Sequence, residues 1–369
     1  MSGYKIFAVN PGSTSTKVAL FENGETVFSA NVSHDAEKLA EFDSIPAQMP
    51  YRKETIENLL KENGVSLEGC DAFVGRGGGL LPIEGGTYEI DETILDHALR
   101  GANGVRHPAQ LGSLLAEGFR KEYGGKGFVV NPPDTDEIQD VARMTGIKGV
   151  YRLVHLHALN LKETAIRHAE SMGKRYEDCN FIVCHIGGGI SVSAHRRGKM
   201  VDGFDIVGGD GPMAPTRCGS VPVSALLEYM DKNNLSAKEM KAYCTKNGGF
   251  VSHAGTSDAI ELTKRAAEGD QYAGMVWDSM IYQINKCIGS MAVVLDGKVD
   301  GILLGGGMVH NKDLVQKITD ACGWIAPVSA YPGEFEMEAM AAGAERVLSG
   351  KEEVKHYSGQ PVWSGFDFD

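Results

Sequence analysis

The segment Asn10-Pro11-Gly12-Ser13-Thr14-Ser15-Thr16-Lys17 places one glycine, four hydroxyls and a lysine within eight residues. Backbone N–H groups and the Ser13 hydroxyl of such a loop can take phosphate oxygens, with Lys17 as a nearby point charge. A second loop, His185-Ile186-Gly187-Gly188-Gly189-Ile190-Ser191, repeats the pattern later in the chain. Gly187, Gly188 and Gly189 let the backbone approach an anion closely. Alone, either loop would pass for a polar hairpin turn. Two of them facing each other across a cleft would grip a polyphosphate from both sides. Neither is a G-x-x-x-x-G-K-[ST] loop, and neither opens directly into a helix as a dinucleotide-binding fingerprint must. The chemistry they point to is phosphate binding on hairpins.

Each loop needs a strand on either side. Ile6–Val9 is a short apolar run and Lys17–Phe21 a second, with Glu22-Asn23-Gly24 as a hairpin signal before Thr26–Ala30. Phe181–Cys184, Ile190–Ala194, the turn Arg197-Gly198 and Lys199–Val201 repeat this order. Val18 and Val192 lie 174 residues apart, as do Gly24 and Gly198, while Gly12 and Gly187 lie 175 apart. An offset near half the chain length predicts duplicated domains, not a solenoid. Helices are expected over 54–63, 111–123, 151–172, 223–231, 236–246, 272–295 and 334–348. Strands are expected over 71–74, 127–130 and 301–304, the last followed by Gly305-Gly306-Gly307. The fold class is α/β: two similar lobes, 1–150 and 151–333, the first completed by the C-terminal segment 334–369, with the ligand cleft between them.

A chain of 369 residues has the length of two domains. Hydrophobic residues at 42% and charged ones at 23% exclude a mainly disordered chain. Forty-nine acidic against 36 basic residues leave a net charge of −13, which repels nucleic acid and anionic lipid. An anionic ligand must then be held by a few local donors. Seven cysteines, an odd number with no C-x-x-C pair, read as free thiols in a reducing compartment. The N-terminus enters a strand at once, and no run approaches ~18 apolar residues. A soluble cytoplasmic protein is expected, with neither membrane nor nucleic acid among its partners.

Taken with Gly75-Arg76-Gly77-Gly78-Gly79, Arg106-His107-Pro108-Ala109-Gln110 and His157-Ala158-Leu159-Asn160, the two loops resemble motifs of the acetokinase family. Pro215-Thr216-Arg217-Cys218-Gly219, Leu304-Gly305-Gly306-Gly307 and Pro332-Gly333-Glu334-Phe335-Glu336 continue the resemblance in order and spacing. That family lies within the acetate and sugar kinase, heat-shock chaperone and actin superfamily. The resemblance implies two actin-like (ribonuclease H-like) lobes, ATP with Mg²⁺ in the cleft, and a homo-oligomer of at least two copies. It also implies in-line phosphoryl transfer from ATP to butanoate or a close short or branched acid, with lobe closure excluding water. Rival readings are a kinase for isobutyrate, propionate, acetate or a sugar, and a non-enzymatic actin-like scaffold.

Joining a γ-phosphoryl to a carboxylate brings two anions together, so catalysis is mostly charge neutralisation and positioning. A guanidinium offers both anions a planar fork, which suits Arg76 and Arg217 to the acceptor and to the group in flight. By resemblance, His107 lines the acyl site, His157 donates to the transferring phosphoryl, and His185 donates to a terminal phosphate beside Ser13, Lys17 and Gly187–Gly189. Asp258 and Gly305–Gly307 fall near the adenosine. Asn10, Asn131 and Glu336 fall in the Mg²⁺ region, partly through water. Asn131 stands where relatives usually carry Asp, keeping an oxygen but not the charge; Asp134 or Asp136 would compensate. Ile260 stands where relatives usually carry an arginine that can stack on adenine, which leaves an apolar wall.

Overall fold

The computed structural model describes residues 3–366. Strands β1 (Lys5–Pro11), β2 (Ser15–Glu22), β3 (Glu25–Ser33), β4 (Ala72–Gly75), β5 (Thr87–Glu89) and β6 (Lys126–Val130) form a sheet in the order β3-β2-β1-β4-β6-β5. Strands β7 (Asn180–Ile186), β8 (Ile190–Arg196), β9 (Lys199–Asp202), β10 (Gly301–Gly306) and β11 (Val328–Pro332) form a second, in the order β11-β10-β7-β8-β9. Each sheet opens with an antiparallel meander and sets a parallel strand against the meander's first member.

The duplication extends to local geometry. Asn23-Gly24 has φ values of 57° and 81°, and Arg197-Gly198 has 47° and 85°. Two successive positive φ angles make the hairpin turn whose twist matches its strands. The meanders also shift register at equivalent steps, Leu20/Phe21 and Ala194/His195, again 174 residues apart.

Among the described residues, those up to Asp136 and those from Phe335 onward pack as one compact unit, and Glu137–Glu334 as the other. Residues 137–150 therefore pack with the second unit. In the first, the Leu111–Tyr123 helix lays Phe119 on Phe7 and Phe73, with ring centroids 5.3 and 6.3 Å away. In the second, the Gln271–Val294 helix buries Trp277, Met280, Ile281, Ile284 and Ile288, an apolar stripe at helical spacing. Among the described residues the seven cysteines are unpaired, and no helix is long and apolar enough to cross a membrane.

One expected helix starts late. Residues 151–172 were expected to be helical throughout, but the helix runs Ala158–Ser171. Before it, Val154 and Leu156 are buried while their neighbours are not, an alternation with the period of an extended chain. His155 there bridges to Asp205. His157 accordingly stands at the N-cap, not inside the first turn.

The buried His34 ring lies between β2 and the Met49–Glu62 helix, with Nε2 2.8 Å from Thr16 Oγ1. Burial, and then the nearby Arg52, lower its pKa to about 4. Between that value and the ordinary 6.5, the unfolded chain takes up a proton that the folded chain refuses, so acid weakens the fold across this window. Urea denaturation is expected to show a loss on the order of 1–2 kcal/mol from pH 7.5 to 5 that is absent from His34→Gln. An equal loss in both proteins would clear His34 of the effect.

Candidate active site

Arg76 follows β4 directly, and its N–H donates to the Val9 carbonyl at 3.0 Å. Gly77, Gly78 and Gly79 then take φ values of 73°, 141° and 75°, which side chains resist. A β-carbon on Gly75 would lie 2.2 Å from the Gly112 carbonyl, at the start of the Leu111–Tyr123 helix. Backbone packs on backbone here, and the bulk carried by the loop is the Arg76 side chain. Arg76 is only 8% exposed. Its Nε stands 3.8 Å from Glu336 Oε1, while Asn10 Nδ2 donates to Glu336 Oε2 at 2.7 Å. Burial opposes its charge; the Glu336 and Asp134 carboxylates support it. Buried Nη1 has no hydrogen-bond partner among the described residues. A guanidinium with a donor left over in a dry place fits an incoming anion.

Two further residues of this unit carry structural tasks. His107 Nδ1 accepts the Ala109 N–H at 3.1 Å, capping a short helical turn, and desolvation together with Arg76 holds its pKa below the usual value. Asn131 Oδ1 accepts the Gly86 N–H at 2.7 Å, while the Asn131 N–H donates to the Gly86 carbonyl at 2.9 Å. Its φ is 38°, a conformation that asparagine tolerates better than most residues. Asp134 accepts from Asn103 Nδ2 at 2.5 Å.

The second unit gathers a different set. His185 stacks on His157, with centroids 4.0 Å apart and planes 23° from parallel. Ser191 Oγ lies 2.8 Å from His157 Nδ1 and accepts the His157 N–H at 3.3 Å, which fixes the ring. A β-carbon on Gly189 would fall 2.0 Å from Arg217 Nη1 and 3.2 Å from His157 Cε1; on Gly187 it would fall 3.1 Å from His185 Nε2. These glycines leave room for the protein's own imidazoles and guanidinium. Gly188 meets nothing. Arg217 Nη1 is buried and has no hydrogen-bond partner among the described residues. Asp205 supports its charge against desolvation, and accepts from His155 Nδ1 at 2.8 Å and from the Gly208 N–H at 2.9 Å. Glu334 Oε1 is 3.8 Å from His185 Nε2.

The residues expected around the nucleotide are more scattered in role. Ser13 and Lys17 are exposed on the first loop. Gly305 stands opposite His185 in the β10–β7 register. Gly306, with φ 99°, is required by the sheet itself, since its β-carbon would lie 2.5 Å from the Ile186 carbonyl; Gly307 leaves open space. Asp258 caps the Ala259–Ala267 helix, accepting the Ile260 N–H at 2.8 Å. Ile260 itself is 79% exposed. Ser191, Asp205 and Arg52 were assigned no role from the sequence; the first two sit beside expected residues, and Arg52 bonds to the Asn10–Lys17 loop.

The chain is 42% identical over 354 residues to Butyrate kinase 2 of Clostridium acetobutylicum, a match that spans 96% of this chain and 99% of the relative. The chain belongs to the acetokinase family. The signature described as the Acetokinase family matches residues 149–326. Among solved structures, an acetate kinase from Porphyromonas gingivalis superposes with a TM-score of 0.74 at 20% identity, over 94% of this chain and 100% of that one. A propionate kinase from Francisella tularensis gives 0.69 at 18% identity, over 91% and 98%. At such identities the likeness is one of fold, and the α/β architecture with two actin-like sheets is the one expected from the sequence.

Proposed function

We propose that this chain, a cytoplasmic homo-oligomer, transfers the γ-phosphoryl group of ATP to a short-chain carboxylate, with butanoate preferred, giving ADP and the acyl phosphate. What chiefly supports this is Arg76, a buried guanidinium with an unused donor on a glycine loop that admits no other side chain. The 42% identity to a butyrate kinase over nearly the whole chain supports the choice of acceptor.

Arg76 holds the acceptor carboxylate, with His107 beside it and Arg217 as a second cation for the same anionic pair. The carboxylate oxygen attacks the γ-phosphorus, and the bond to the β-phosphate oxygen breaks, leaving ADP. His157 and Arg217 donate to oxygens of the group in flight, where charge accumulates. His185 donates to a terminal phosphate, and the Ser13–Lys17 segment holds the rest of the chain of phosphates. Asp258 and Gly305–Gly307 take the adenosine side. For Mg²⁺, Glu336 offers a carboxylate oxygen and Asn10 an amide oxygen, and the Asn10 Nδ2 bond to Glu336 Oε2 at 2.7 Å keeps the two side chains together. Asn131 would contribute from the same unit, through water. Among the described residues there is no cluster of three or more His, Cys, Asp or Glu that could hold a metal. When bound, Mg²⁺ offsets phosphate charge.

The test is acyl-phosphate formation with Mg-ATP, trapped by hydroxylamine, across acetate, propionate, butyrate, isobutyrate and valerate. A maximum at butyrate or isobutyrate is expected, with about tenfold or more lost per methylene removed. No hydroxamate from any acid would overturn the assignment.

A further inference from the structure

Arg52 is a fully buried arginine at 0% exposure, on the Met49–Glu62 helix, which turns Arg52, Ile56 and Leu60 inward. Among the described residues no carboxylate pairs with it; it is solvated by a loop. Nη1 donates to the Gly12 carbonyl at 2.9 Å, the Ser15 carbonyl at 3.3 Å and Thr16 Oγ1 at 3.2 Å. Nη2 donates to the Ser13 carbonyl at 3.0 Å, and Gln48 Oε1 accepts from Nε at 3.1 Å and from Nη2 at 3.0 Å. All three nitrogens are engaged, and three of the acceptors are carbonyls of the Asn10–Lys17 loop.

Those carbonyls have a consequence on the other side of the loop. In a trans peptide the C=O and N–H point in opposite directions. Turning the Gly12 and Ser13 carbonyls onto Arg52 turns the N–H groups of Ser13 and Thr14 away from it. Both residues are exposed, and neither N–H donates to backbone or side chain among the described residues. Successive outward N–H groups make an anion-binding concavity. Behind them lies a permanent cation without a carboxylate to cancel its field, in a medium that screens little. A buried unpaired charge is costly, so a fully apolar residue would be the better choice for stability alone.

We propose that Arg52 is the positioning residue of the phosphate loop: it holds the Gly12 and Ser13 carbonyls inward so that the Ser13 and Thr14 N–H groups present themselves to the nucleotide's phosphates. This rests on the assignment of that loop to ATP. The experiment measures Mg-ATP affinity by equilibrium binding, KM for ATP and for butyrate, and thermal midpoint, for wild type, Arg52→Lys, Gln48→Ala and Lys17→Ala. Lysine keeps the charge but cannot reach all the carbonyls. Arg52→Lys is expected to weaken Mg-ATP binding about tenfold while KM for butyrate stays within about twofold. Gln48→Ala, which releases one side of the guanidinium, is expected to shift affinity about threefold in the same direction; it decides the matter should Arg52→Lys fail to fold. A lower thermal midpoint with unchanged Mg-ATP affinity, or equal rises in both KM values, would overturn the proposal. If Lys17→Ala weakens Mg-ATP binding and neither other variant does, Arg52 falls and the loop assignment stands. If Lys17→Ala also leaves affinity unchanged, the loop assignment falls with it.

Discussion

Arg76→Ala is expected to lower kcat/KM for the carboxylate by about 10³-fold, read as hydroxamate formed at saturating Mg-ATP. Three features set the size of this effect. The guanidinium is buried, so its field is weakly screened. Its Nη1 has no partner among the described residues, so a donor is available for the acceptor. Glu336, which faces its Nε at 3.8 Å and is already hydrogen-bonded to Asn10, would lose its counter-charge, so the side chains proposed to hold Mg²⁺ are disturbed as well. Arg76→Lys should recover about tenfold at most, because an ammonium supplies charge without the planar fork. Near-normal rates in the alanine variant would remove Arg76 from the chemistry. Circular dichroism on the same samples separates lost chemistry from lost fold.

Arg217→Ala should cost about 10²–10³-fold in kcat, with a smaller change in KM for the acid, as expected of a group that acts mainly on charge developing in the transition state. Gly189→Ala is expected to produce most of this loss while leaving the arginine in place. The added β-carbon would sit 2.0 Å from Arg217 Nη1 and 3.2 Å from His157 Cε1, so the guanidinium has to move and the imidazole has to give. His157 is the less able to yield, being held to Ser191 Oγ at 2.8 Å and stacked on His185. Steady-state kinetics on both variants checks the pair: wild-type kcat in Gly189→Ala would show that Arg217 reaches its working position by another route.

The parts of this arrangement legible in the sequence are those whose signals are local. The turns Asn23-Gly24 and Arg197-Gly198 mark the duplication because a two-residue hairpin demands positive φ at both positions. The glycines around Arg76 mark a loop without bulk for a related reason. Where a residue's role depends on a partner distant in the chain, no local signal exists. Arg52 sits in Pro50-Tyr51-Arg52-Lys53-Glu54, ahead of the helix expected over 54–63, and nothing local marks it; its acceptors other than Gln48 come from residues 12–16. Asn131 reads as a metal-region amide, and no local signal announces that its side-chain oxygen also accepts the N–H of Gly86, 45 residues upstream. The helix expected from Tyr151 failed because Leu156, Leu159 and Ala169 are buried, and Ile166 partly so, with the segment before Ala158 extended and not coiled. The alternation at Val154 and Leu156 held the distinguishing signal. Asp258, with Glu261 three residues on, has the local pattern of a helix N-cap, and its side chain caps the Ala259–Ala267 helix.

The contact of Gly75 with Gly112, and the three left-handed glycines that follow Arg76, also bear on how such an enzyme can diversify. Four of the five positions of Gly75-Arg76-Gly77-Gly78-Gly79 admit no side chain without moving backbone or straining it, and the fifth holds the guanidinium proposed to bind the acceptor. Neutral drift has almost no foothold there. Lineages that come to prefer a longer, shorter or branched acid must do so through side chains on other elements that approach Arg76, while the loop is inherited unchanged. Random libraries confined to 75–79 would sample mostly damaged proteins, and those built on the loop's neighbours would sample specificity.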